Sequence, residues 1–149
     1  MCHDYLSTKE GHYRKSYIVP KYLKNKPIDH SDVIASFKNF ADHIIALLKD
    51  CEFAYISIGN EVDSYLVGDS RKWREFNELY KQAFHHIKAK YPHVPVGVKV
   101  TYDGMIGPSR RFVREINQET DLVLVTYYIL TGPSLPSENR RRLKTYSMK

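Results

Sequence analysis

An α/β protein of about three parallel βα units is expected from three features of the chain. Apolar helical periodicity alternates with short strand-like runs, in the order helix, strand, helix, strand, helix, strand, over residues 31–130. Each run is apolar or small on both faces of a pleat, as strands covered on both sides are. Polar and aromatic residues follow the runs at the same end, where right-handed helical crossovers gather the loops of a parallel sheet. Doubly wound sheets and (β/α)8 barrels share this grammar, and periodicity alone does not separate them.

The elements follow in order. Residues 1–30 show no sustained period, contain Pro20 and Pro27, and read as an irregular arm. From Ser31 onward Val33, Ile34, Phe37, Phe40, Ala41, Ile44, Ile45 and Leu48 recur at steps of three and four, which predicts an amphipathic helix. Asp29 or Ser31 is the expected cap, because a side-chain oxygen there accepts an otherwise unpaired N–H. Cys51 is expected to be a small buried residue at the junction with the first strand, "FAYISI", residues 53–58. A loop is expected from Glu61 to Ser70. Trp73, Phe76, Tyr80, Ala83, Phe84 and Ile87 then predict a helix over about 70–90, ended by "YPHVP". "VPVGVKV", residues 94–100, is the second strand, and its β-branched residues suit a pleated surface. "YDGMIG" reads as a turn, with Pro108 opening a third helix at its first position and Phe112, Val113 and Ile116 as its apolar stripe. "DLVLVTYYIL", residues 121–130, is the third strand, and residues 131–149 form a basic tail.

With 149 residues and 42% hydrophobic content, the chain suffices for one domain with a sizeable core. Its formal charge of +6 is concentrated partly in "RKSYIVPKYLKNK" and "RRRLKTYSMK". No aromatic–basic interleaving accompanies them, so they read as solvated ends rather than a nucleic-acid surface. No run approaches the roughly 18 apolar residues of a membrane span, and no apolar stretch of a leader follows the opening charges. Cys2 and Cys51 make no disulfide framework. The histidines lack metal-ligand spacing, and "YDGMIGPS" matches no phosphate-binding loop. No metal and no cofactor are expected.

In parallel α/β folds functional groups gather at the carboxyl ends of the strands. Asn60 and Glu61 stand at such an end, as do Thr101, Tyr102 and Asp103 after the second strand and Thr126, Tyr127 and Tyr128 in the third. The opposite ends, near Phe53, Val94 and Asp121, show ordinary loop chemistry. A rim carboxylic acid partly shielded by Tyr and Trp suits proton donation, and an adjacent amide can hold a substrate hydroxyl. Aromatic faces at Tyr102, Tyr127 and Tyr128 can stack on sugar rings. Successive strand residues face opposite ways, so one of Tyr127 and Tyr128 is expected to be structural. By the bland reading, Glu61 is a loop carboxylate capping a backbone N–H.

"YISIGNEVDSYL", the Trp-containing helix, "YPHVPVGVKVTY" and "DLVLVTYYIL" together resemble strands 4, 5 and 6 of the clan of (β/α)8 retaining glycoside hydrolases. The likeness covers about residues 27–130 and is to the family 53 endo-β-1,4-galactanases and their relatives, more distantly to family 5. It implies a partial TIM barrel acting on β-linked carbohydrate, with Glu61 as acid/base and Asn60 as the amide that binds the sugar 2-OH. Tyr102, Asp103, Tyr127 and Tyr128 are the accompanying substrate-contact candidates.

The resemblance also implies a nucleophilic Glu on a later strand. Residues 131–149 hold a single Glu, Glu138, in a polar setting with two prolines and a basic run, and it is rejected for that role. Asp103 beside Gly104 reads more simply as a turn residue than as a partner of Glu61. Barrel closure takes eight strands and about 250 residues. The expectation is a central segment of a hydrolase barrel, inactive in isolation, whose sheet edges are covered by another copy or by the missing barrel half. Two rivals are a non-catalytic carbohydrate-binding or scaffold remnant and a basic α/β module on nucleic acid, the latter betrayed by steep salt dependence.

Overall fold

The computed structural model describes residues 20–127 and shows helices packed on a three-stranded parallel sheet. In chain order the elements are a 3-10 turn at Lys21–Leu23, α1 (Ser31–Leu47), β1 (Ile56–Ser57), α2 (Val62–Leu66), α3 (Ser70–Lys90), β2 (Val96–Thr101), α4 (Tyr102–Ile106), α5 (Arg110–Ile116), a 3-10 turn at Asn117–Glu119 and β3 (Leu122–Thr126). The sheet order is β1-β2-β3, all parallel, with Ile56 opposite Val96, Val98 opposite Val123 and Thr101 opposite Thr126.

Side-chain alternation divides the sheet into two faces. Ile56, Ile58, Val96, Val98 and Val100 lie on one face and are buried beneath Trp73, Phe76, Tyr80, Ala83 and Ile87 of α3, Ala41 and Ile45 of α1, and Phe112, Val113 and Ile116 of α5. Trp73 stacks on Phe112 at 5.4 Å and 8°, joining α3 to α5. The other face carries Ser57, Gly97, Lys99 and Thr101, with Leu122, Leu124 and Thr126 beside them.

Polar ties fix the helices to each other and to the sheet. Asp42 of α1 accepts from His86 Nε2 at 2.9 Å and Lys90 Nζ at 2.5 Å on α3, while Lys38 donates to Gln82 at 3.0 Å. Positions 38 and 42 face 82, 86 and 90 because residues four apart share one helix face. At the amino end of the sheet, Tyr80 donates its hydroxyl proton to Thr120 Oγ1 at 2.8 Å. Asp121 Oδ2 accepts from Val96 N at 2.9 Å and pairs with Lys88 Nζ at 2.9 Å. These ends are therefore stitched together, not ordinary loops as expected.

Several expectations need correction. α1 is capped by His30, whose Nδ1 accepts from Asp32 N at 3.2 Å, because a turn from Pro27 leaves His30 as the last extended residue. Cys51 is exposed: a turn closed by Cys51 N and Leu48 O keeps it at the surface before β1 begins. The stretch from Glu61 to Ser70 contains α2, and "YDGMIG" forms α4 with Thr101 as its cap. α5 starts at Arg110, since a turn from Gly107 to Arg110 takes up Pro108 and Ser109. β1 is laddered over two residues only. β3 is not covered on both faces: Val123 and Val125, in register with fully buried Val98 and Val100, are 42% and 44% exposed, because among the described residues no helix lies over them. The parts of the expected arm before Pro20, of the expected third strand beyond Tyr127 and of the expected basic tail fall outside the described residues.

Candidate functional site

The chain leaves β1 through a tightly specified turn. Ser57 Oγ donates to Gly59 O at 2.7 Å, and Gly59 has φ +94, a conformation L side chains rarely adopt. A Cβ there would also stand 2.5 Å from Val62 Cγ1. Glu61 follows in the left-handed region at φ 49, ψ 44, where a non-glycine residue carries a cost of order 1 kcal/mol. It occupies the N-cap position of α2, and its carboxylate makes no capping bond to that helix. Asn60 Oδ1 is buried with no hydrogen-bond partner.

The next strand contributes Thr101, whose hydroxyl accepts from Gly104 N at 3.0 Å and thereby caps α4. Tyr102 and Asp103 form the exposed first turn of α4. From β3 come Thr126, with a buried Oγ1 that has no partner, and Tyr127, half exposed at 52%. The rings of Tyr102 and Tyr127 meet edge to face, centroids 5.3 Å apart at 88°. Native proteins leave few buried acceptors unpaired, so Asn60 Oδ1 and Thr126 Oγ1 are groups with hydrogen-bonding capacity to offer.

Asn60, Glu61, Thr101, Tyr102, Asp103, Thr126 and Tyr127 lie at or just beyond the carboxyl ends of β1, β2 and β3, which are neighbours in the sheet. Tyr128 and Glu138 lie outside the described residues. Trp73, expected to shield the rim carboxylate, is a core residue at 2% exposure. Asp103 is helical, not a special turn residue. Asp63 was missed: at 7% exposure its carboxylate accepts from Thr101 N at 2.8 Å and Thr101 Oγ1 at 2.5 Å, joining the exits of β1 and β2. The one signal in the sequence is an acidic residue two places after Glu61, between Val62 and Ser64.

Among the described residues no group of three or more His, Cys, Asp or Glu is arranged to hold a metal, and no helix is long and apolar enough to cross a membrane. His86 is half-buried and paired with Asp42, and His30 caps α1. Chemically, the rim offers a carboxylate, a primary amide, hydroxyls and two aromatic rings, a set that suits a neutral polyhydroxylated ligand. Comparison with protein-family models, curated proteins and solved structures finds no match.

Proposed function

We propose that the chain is part of a (β/α)8 barrel of glycoside hydrolase type, whose rim binds a β-linked oligosaccharide. The observation that carries this reading is the meeting of Tyr102 and Tyr127 beside the exit that bears Asn60 and Glu61. In the complete barrel Glu61 would protonate the glycosidic oxygen; in the chain alone Asn60 holds the neighbouring sugar hydroxyl and the tyrosine faces pack on the apolar faces of the rings. The barrel part of the reading is supported by Val123 and Val125, which share a face with buried Val98 and Val100 and offer a further helix the same apolar surface.

Retaining cleavage uses two carboxyl groups about 5–5.5 Å apart. Of the other acidic groups at these exits among the described residues, Asp63 is committed to Thr101 and Asp103 stands exposed on α4. The chain by itself therefore binds sugar without turning it over. Titration with β-1,4-linked galacto-oligosaccharides, followed by amide shifts, is expected to move Asn60, Glu61, Tyr102 and Tyr127, while aryl β-glycosides are not hydrolysed. Absence of shifts at millimolar oligosaccharide would overturn the sugar reading. Hydrolysis abolished by Glu61→Gln would overturn the inactivity.

A further inference from the structure

The geometry points to Asp63 as the positioning residue of the rim, holding Asn60 and Glu61 in place through Thr101. The inference deepens the sugar-binding reading and rests on it for its functional consequence.

In a parallel ladder a residue turns both backbone groups to one neighbour, and alternate residues serve alternate neighbours. Gly97 O accepts from Ile58 N, so Gly97, Lys99 and Thr101 present theirs on the β1 side. β1 ends at Ser57, opposite Gly97, and leaves the N–H of Thr101 beyond the reach of its ladder. Asp63 takes that N–H at 2.8 Å and the Thr101 hydroxyl at 2.5 Å, replacing the missing strand with a carboxylate. Thr101 Oγ1 in turn accepts from Gly104 N, so one hydroxyl ties α2 to α4. Gly104 is what lets the carboxylate in: a Cβ there would lie 2.4 Å from both Asp63 Cγ and Oδ2.

The restraint acts where the backbone is strained. α2 is bracketed by two left-handed non-glycine residues, Glu61 at φ 49 and Val67 at φ 40. Such conformations persist only when the surroundings over-determine them. With α2 anchored to the last residue of β2, the Gly59–Glu61 turn has a fixed end on each side: the β1 ladder before it and Asp63 after it. Released from Thr101, the turn has a relaxed alternative, and the fraction of chains presenting Asn60 and Glu61 correctly falls, lowering apparent affinity by that fraction.

The test combines amide exchange with oligosaccharide titration on the full chain. Asp63→Asn is expected to accelerate exchange at residues 59–61 while Val98 and Val100 keep wild-type protection, and to weaken β-1,4-galacto-oligosaccharide binding about tenfold. Thr101→Val, which keeps the N–H bond and loses the hydroxyl, is expected to show the same pattern more weakly, and Thr101→Ser to restore wild-type exchange and binding. This pair carries the test should Asp63→Asn not fold. Unchanged exchange at 59–61 in Thr101→Val, or Thr101→Ser no better than Thr101→Val, overturns the positioning role. If the wild-type chain binds no oligosaccharide, the sugar reading fails separately, and the exchange arm alone then upholds or overturns the role of Asp63.

Discussion

Tyr102 and Tyr127, from the exits of neighbouring strands, meet edge to face with centroids 5.3 Å apart. Both rings are well exposed, at 37% and 52%, so neither is placed by core packing. Tyr102→Ala or Tyr127→Ala is expected to weaken oligosaccharide binding severalfold while shifting the urea midpoint little. A double-mutant cycle on stability should return a coupling of about 0.5–1.5 kcal/mol, the usual worth of an aromatic pair. Additive losses would mean that the rings act independently.

Tyr80 is fully buried and donates to Thr120, and burial pushes its phenol up to about 12. Because the folded value exceeds the ordinary one near 10, its stabilisation is complete below pH 10 and is lost as pH rises through about 12. Absorbance titration of phenolate should show one tyrosine ionising late, and Tyr80→Phe should abolish that late step. Removing the hydroxyl leaves Thr120 without its donor and is expected to destabilise by about 1 kcal/mol in urea unfolding.

The pairing of Asp121 with Lys88, helped by the N–H of Val96 and opposed by burial, holds its carboxyl below the ordinary carboxylate value. A depressed folded value means the unfolded chain binds more protons in acid, so this stabilisation is present above about pH 4 and is lost as pH falls. Thermal unfolding of Asp121→Asn between about pH 2 and 5 should therefore show a shallower acid decline than wild type, with a lower plateau at neutral pH. Parallel curves for the two proteins would refute the linkage.

Val67 ends α2 at φ 40, ψ 46, an unfavourable conformation for a β-branched residue, with 72% of its surface exposed. Val67→Asn should stabilise the protein by about 1 kcal/mol, because asparagine tolerates the left-handed region and little apolar burial is given up. Val67→Ile, which keeps the branch, should leave the denaturant midpoint where it is.

Periodicity and end chemistry were legible along the chain wherever the deciding forces are local. The apolar steps of α1 and α3 and the β-branched run of β2 place those elements within a few residues of their observed bounds, and the polar residues after each strand marked the rim. α2 and α4 are five residues each, too short to show a period, so their sequences look like loops. Caps at His30 and Ser109 depend on where the preceding turn stops, which composition does not encode.

The alternation of helix and strand, and the identity of the groups at one end of the sheet, follow from residue order alone, because hydrophobic repeat and strand polarity are properties of neighbouring residues. Packing of the whole chain is what brings Asp63 to Thr101 across 38 positions, has Gly104 make room for it, and leaves Val123 and Val125 exposed while their ladder partners are buried. Such bonds, clearances and exposures arise between chain-distant atoms, whose proximity is set by how the strands lie side by side.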